Sequence, residues 1–309
     1  MQILSKETFL KASNVIKEKG RPIDFFVFQS HFFKKDEDKI INELKKFQNE
    51  DGGFGNNLEP DFRLPSSSPM ATSIAFQHLI KFDDNIEAKE MIIKGLDYLE
   101  KVFISERNGW LAIPQKVNDY PHTPWWHVNE DTGECPIDNH WGNPSAEIIG
   151  YLYNYREHLA KLNADKLVDY SIDYLNQKDQ FQSFHEIYCY IRLYKILPLE
   201  LSARFYDKLK IALGELVSLD SKEWSNQYVA RPLDFIKDPE NTFGIDDIYI
   251  EENLNYLIEI LEEKNAILPS WGSKFYNSDM DNAWNEWIGV LTLRALLVLD
   301  SFSRIELEK

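Results

Sequence analysis

The chain has only two cysteines in 309 residues, too few for a disulfide framework. Basic residues are scarce as well. Against 51 Asp and Glu stand 34 Lys and Arg, a net charge of −17 that disfavours nucleic acid or an anionic membrane surface as partner. No apolar run approaches the ~20 residues of a transmembrane helix. The start Met1-Gln2-Ile3-Leu4-Ser5-Lys6-Glu7 shows neither the basic region nor the apolar stretch of a signal peptide. A cytoplasmic protein without membrane insertion is expected. No Gly-rich phosphate loop, HExxH helix or GxSxG elbow occurs, which removes P-loop phosphoryl transfer, zinc-protease and serine-hydrolase readings. No strand-like alternation and no Pro/Gly/Ser-rich linker interrupts the chain, so one domain over 1–309 is expected. With 43% hydrophobic residues it can bury about three quarters of its unfolded surface.

What is present is helical period. Apolar residues recur at helix spacing in Phe9, Ala12 and Ile16, in Ile40, Leu44 and Phe47, and in Met91, Gly95, Leu99 and Val102. The period continues through Ile148, Leu152, Tyr155 and Leu159, through Ile187, Ile191 and Tyr194, and through Leu254, Leu257, Ile258 and Leu261. Ser68-Pro69 and Asn143-Pro144 each put a capping side chain before a proline suited to the first helical position. These signals predict helices over 6–18 and 22–33, 36–48 and 69–82, 86–103 and 144–162, and 166–177 and 183–197. They predict further helices over 202–217, with a partner near 225–240, and over 251–264 and 284–302.

One turn, Gln48-Asn49-Glu50-Asp51-Gly52-Gly53-Phe54-Gly55, joins two of these helices and echoes downstream. The echoes are Asn108-Gly109-Trp110, Lys178-Asp179-Gln180-Phe181, Asp220-Ser221-Lys222-Glu223-Trp224 and Leu268-Pro269-Ser270-Trp271-Gly272. Each sets an aromatic residue after a helix and before a loop, at spacings of roughly 45 to 70 residues that suit a two-helix repeat.

Gln48 to Phe54 resembles the QxxDGGW/F motif of terpenoid cyclases and protein prenyltransferase β subunits. The resemblance implies an all-α fold, an α/α toroid of five to six helical hairpins, in which the motif braces helices. The chain is also similar to bacterial proteins of that fold through Gly53-Phe54-Gly55 to Glu59-Pro60-Asp61, and through His122-Thr123-Pro124-Trp125-Trp126 followed by Asn143-Pro144. That similarity implies no substrate. In such a ring the connections from outer to inner helix share one end, and here they are the long segments 49–68, 104–143, 218–225 and 265–284. Loops beyond about 12 to 15 residues in a compact domain are commonly functional or disordered. These carry Trp, His and Gly, which favours function.

The 104–143 loop concentrates His122, Trp125, Trp126, His127, Glu130, Asp131, Cys135, Asp138, His140 and Trp141. Its indoles suit a sugar face, a hydrophobic chain or a carbocation, and equally a plug at the barrel end. A cavity ringed by Trp110, Trp125, Trp126 and Trp271, with Arg63, His122 and His140 as further binding residues, is the expected small-molecule site. His122, His127, Cys135 and His140, with Asp131 or Asp138, are of zinc-ligand type. Their spacing fits no finger and departs from the prenyltransferase pattern, in which Asp and Cys lie two residues apart. We therefore assign no metal ligand from sequence, and neither a cofactor nor an oligomeric state follows.

Acid chemistry has several candidates. Proline should keep Glu59-Pro60-Asp61 extended, so that Glu59 and Asp61, roughly 6.6 Å apart, face one cavity. Carboxylates separated by about 6.5 to 9.5 Å suit an inverting glycosidase, with Asp138 as an alternative partner. Helix capping or pairing with Arg63 accounts for them as well. Asp279-Met280-Asp281-Asn282 approaches the DxDD acid motif of class II cyclases but lacks its last acid, leaving Asp281 as acid or cap. Asp83-Asp84-Asn85-Ile86-Glu87 falls at the other end of the helices and reads as N-terminal helix charge. Arg231-Pro232-Leu233-Asp234-Phe235 and Asn285-Glu286-Trp287 read as an ion pair and a helix start. The loops carry more acid than base, so a diphosphate would be repelled unless a divalent metal were bound. Three functions remain open: a terpenoid-cyclase-like or prenyltransferase-like protein for a neutral or hydrophobic, isoprenoid-like molecule, a carbohydrate-active barrel, and a noncatalytic binding module.

Overall fold

The computed structural model describes residues 1–276 and 278–307, with only the backbone of 278 and 281. Among them the regular structure is helical, and pairing of extended backbone is confined to isolated bridges. The helices are α1 (Lys6–Lys19), α2 (Pro22–Phe33), α3 (Glu37–Phe47), α4 (Pro69–Leu79), α5 (Ile86–Lys101), α6 (Gly142–Asn154) and α7 (Ala164–Asn176). They continue as α8 (Phe184–Ile196), α9 (Leu199–Ser202), α10 (Tyr206–Leu216), α11 (Ser221–Trp224), α12 (Pro232–Phe235), α13 (Asp247–Lys264) and α14 (Asp281–Ser301). None among the described residues is long and apolar enough to cross a membrane. The expected helix over 202–217 is divided by a short tight turn at Ala203–Phe205. Only the four residues of α12 form near 225–240, where Pro232 opens a helix that ends before Pro239.

The chain forms two compact units, Met1–Glu43 with Leu216–Lys309, and Leu44–Glu215. In the first, α1 packs on α2, α13 and α14 around Phe9, Ile16, Phe28, Leu254, Leu261 and Leu296. Leu4 pairs in parallel with Ile305, which ties the two ends of this unit together. One local device occurs twice there. In Arg21-Pro22-Ile23-Asp24 and in Arg231-Pro232-Leu233-Asp234, proline opens the helix and the aspartate accepts the arginine's backbone N–H, at 3.1 and 2.8 Å. The same aspartates pair with the guanidinium groups at 2.8 and 3.3 Å. Proline contributes its fixed φ, and the carboxylate caps the helix while the arginine neutralises it.

In the second unit α4, α6 and α8 lie side by side, with α5 on α4 and α7 on α6. Ser68 caps α4 by accepting the Ala71 N–H at 3.1 Å, with Pro69 at the first position as the sequence suggests. The Asn143–Pro144 bond is cis, and the Asn143 side chain accepts from Cys189 Sγ at 3.6 Å instead of capping α6. Gly150 of α6 faces α8, where an added Cβ would meet the Leu193 Cα at an ordinary contact distance of 3.4 Å and the Ile196 Cδ1 at 3.1 Å.

The glycine turn seals α3 to α4 and α5. Gln48 donates its amide to the Gly52 and Met91 carbonyls, both at 2.9 Å, linking the turn to α5. Asp51 accepts the Gly53 N–H at 3.0 Å and the Ser67 hydroxyl at 2.7 Å. Phe54, fully buried, donates its N–H to Thr72 Oγ1 of α4 at 3.0 Å. Two echoes repeat the device with indoles. Trp110 donates to the Leu99 carbonyl at 2.8 Å and Trp224 to the Ser218 carbonyl at 2.9 Å. Trp271 departs from it, being half-exposed and donating to the Tyr276 hydroxyl.

Gly52 sits at φ +93°, and a Cβ there would come within 2.2 Å of the Lys94 carbonyl oxygen. Gly52→Ala is therefore expected to lower unfolding free energy by more than about 2 kcal/mol in urea titration. Gly214→Ala, in α10 with open space around the added carbon, is expected to raise it by about 0.5 kcal/mol.

Glu100, at the end of α5, accepts the N–H groups of Ala160, Lys161 and Leu162 at 3.0, 2.7 and 2.7 Å. Burial alone would raise its pKa, but these donors hold it below the ordinary glutamate value. The stabilisation is full above the unfolded-state pKa of about 4.3 and is lost as pH falls through the folded-state value. Glu100→Gln is expected to lower Tm at pH 7, with the gap to the native protein narrowing near pH 3.

Candidate functional site

The 49–68 and 104–143 loops meet. Phe62 forms an antiparallel bridge with His122, the Arg63 N–H donates to the Pro121 carbonyl at 2.8 Å, and the Thr123 N–H to the Asp61 carbonyl at 2.9 Å. This short ladder brings Glu59, Asp61 and Arg63 beside His122, Trp125 and Trp126. Segment 59–61 is a turn rather than extended chain. The turn follows Asn56 and Asn57, both at positive φ, so the backbone has already reversed before Pro60. Glu59 Oε1 accordingly folds back to accept the Asp61 N–H at 3.3 Å. Both acids are nearly buried, at 7% and 5% exposure, so their chemistry is set by protein neighbours rather than bulk water.

Trp125 donates its indole N–H to Asp61 Oδ2 at 3.1 Å and keeps its ring half-exposed. That bond fixes the ring beside the acids. Trp126 is buried edge-on against Phe62 at 5.1 Å, and among the described residues neither its indole N–H nor the Thr123 hydroxyl has a hydrogen-bond partner. The His122 and His127 rings are nearly parallel, with centroids 5.3 Å apart.

Other expected site residues serve as braces. Trp110 is fully buried, so its ring offers no face to a ligand, and its backbone N–H donates to Ser145 Oγ at 3.1 Å. Asp138 accepts the Ala112 N–H at 2.7 Å and the Cys135 N–H at 2.9 Å, which folds the 104–143 loop onto itself. Burial, and then the Asp138 carboxylate, push the Cys135 thiol up to about 12, so it stays protonated at neutral pH. His140 is half-buried, and its backbone N–H donates to the Ile137 carbonyl at 3.1 Å. Trp271 and Asp281 belong to the other compact unit. Trp271 packs there against Tyr228 and Trp287 at 5.7 and 5.2 Å. The Asp281 side chain lies outside the described residues. Asn85 caps α5 and Glu87 pairs with Lys45 at 2.8 Å, so that acidic run is helix-end charge.

Sequence reasoning passed over a polar network between α6 and α8. Glu147 accepts the Tyr151 hydroxyl at 2.7 Å and pairs with Arg192 at 2.8 Å, while Glu186 accepts the Gly142 N–H at 2.9 Å and pairs with Lys178 at 3.1 Å. Burial would lower the Arg192 pKa, yet the adjoining Glu147 carboxylate holds it above the usual arginine value. The four-residue spacing of Glu147 and Tyr151 was the available signal, masked by the apolar run around it. Both carboxylates have protein partners, so the network reads as structural.

Comparison with protein-family models, with curated proteins and with solved structures gives no match.

If Asp138 is a loop strut, Asp138→Asn, which turns an amide donor toward one of two N–H groups, is expected to cost about 1 to 3 kcal/mol. A shift of the urea midpoint to lower concentration measures this. An unchanged midpoint would remove the structural assignment.

Proposed function

We propose that this chain is an α/α-toroid protein, similar in kind to terpenoid cyclases, that binds or transforms a small neutral or hydrophobic, isoprenoid-like molecule. The observation that carries the reading is the half-exposed Trp125 ring, held by its N–H against the nearly buried carboxylate of Asp61 and next to Glu59. An indole face beside an acid suits a ligand that gains a proton and positive charge: the acid supplies or receives the proton, and the ring quadrupole attracts the cation. In this reading Glu59 and Asp61 are the acid and base, Trp125 is the wall, and Arg63 and His122 border the ligand. The glycine-turn brace and the α4, α6, α8 row, with α5 and α7 packed on it, support the ring architecture. Low cysteine content and the strong negative charge support a cytoplasmic setting without nucleic-acid partners.

The same half-exposed indole, hydrogen-bonded to Asp61, whose N–H is in turn accepted by Glu59, also suits stacking on a sugar ring, the second reading. Tryptophan-fluorescence titration with isoprenoid alcohols and with oligosaccharides distinguishes them. Saturable isoprenoid binding, weakened at least about tenfold in Trp125→Ala, is the expected result. The same behaviour with a saccharide replaces the first reading by the second. No saturation in either panel overturns both.

A further inference from the structure

The strongest feature outside the acid–indole corner is the pair of histidines on the 120–127 segment, whose nearly parallel rings meet edge to edge. His122 Nδ1 lies 2.6 Å from the Tyr120 carbonyl oxygen. A carbonyl only accepts, so Nδ1 carries the proton, and in the neutral ring Nε2 carries the lone pair. That nitrogen stands 3.1 Å from Nδ1 of His127, with the ring planes 13° apart. In the neutral pair His127 therefore donates and His122 accepts.

We propose that His122 Nε2 and His127 Nδ1 chelate one divalent transition-metal ion of the zinc type. Two imidazole nitrogens bound to a tetrahedral ion, each at about 2.0 to 2.1 Å, stand roughly 3.3 Å from one another. The observed 3.1 Å is close to this separation, and the rings must also turn so that both lone pairs converge on the ion instead of facing each other. His122 is already oriented as metal-bound histidines are, with its other nitrogen donating to a backbone carbonyl. His127 is exposed, so its ring turns at little cost to aim its nitrogen at the ion. Its proton moves from Nδ1 to Nε2 through solvent, so two neutral rings take up the ion with no net proton release. The negative charge of the chain favours cation approach. Among the described residues no group of three or more His, Cys, Asp and Glu side chains is arranged to hold an ion. The remaining coordination positions fall to water or to an oxygen of a bound molecule, one position more than in open zinc sites, which have three protein ligands. The bridge between Phe62 and His122 sets this chelate on the ladder that carries Asp61 and Trp125.

The inference does not depend on what the acid–indole corner binds, and it is tested with the metal alone. Zn²⁺ is titrated calorimetrically into the purified full chain in a non-chelating buffer, alongside His127→Gln, His122→Gln and His140→Gln. One ion per chain is expected, with affinity at least about tenfold weaker in the first two variants and unchanged in His140→Gln. Cu²⁺ quenching of tryptophan fluorescence, reduced in His127→Gln, is the parallel readout. His127→Gln alters an exposed side chain, so far-UV circular dichroism should match the native protein and keep the comparison valid. Absence of saturable uptake, uptake unaffected by His127→Gln, or equal weakening in His140→Gln would overturn the site.

Discussion

The bond from the Gln48 amide to the Met91 carbonyl is the constraint on which the second compact unit depends. It fixes the end of α3 against α5 while the adjoining turn is sealed to α4 through Phe54 and Thr72. Everything between Gly55 and Ser68 leaves from that anchored point, including Glu59, Asp61 and Arg63. Only a residue without a side chain fits at position 52, where the backbone lies in the left-handed region and the Lys94 carbonyl is in contact. Indoles repeat the same task downstream: Trp110 donates its indole N–H to a carbonyl in the last turn of α5, and Trp224 donates its own to one just past α10.

The acidity of the chain takes on a different meaning once the side chains are placed. Three carboxylates act as struts, Glu100 and Asp138 from buried positions and Asp51 from an exposed one: each accepts two or more N–H or hydroxyl groups from neighbouring segments. An ionised carboxylate accepts several bonds and makes each stronger than a neutral acceptor would. Glu134 is partly neutralised by Arg107 at 3.1 Å, and Arg107 also donates to the Asp138 carbonyl at 2.5 Å. These neutral donors leave each carboxylate its charge, and the Arg107–Glu134 pair removes one acid and one base together, so the acid excess of the long loops still disfavours an anionic ligand.

Legibility differed with the range of the interaction. Most helix periods and the Ser68-Pro69 start follow from local spacing and capping and appear where expected, whereas the helix expected over 144–162 stops at Asn154; the bracing role of the glycine turn came from the family resemblance. The α12 region did not appear as expected, because a four-residue helix bounded by prolines leaves too short a periodic signal. Among the tryptophans, sequence cannot separate a wall from a brace. Trp110 and Trp125 lie in one long loop, yet one is sealed in the core and the other keeps a face toward solvent.

The sequence by itself determined the all-helical class and which residue types could carry chemistry, since propensity, capping and hydrophobic period act between neighbours in the chain. Tertiary structure alone decided which of those residues meet. Asp61 reaches Trp125 across 64 positions because a ladder at Phe62 and His122 pairs two loops, and Asp138 is diverted to backbone donors by the fold of its own loop. Such choices depend on which buried polar group finds a partner first across long loops, and that energy is fixed by three-dimensional burial rather than by spacing along the chain.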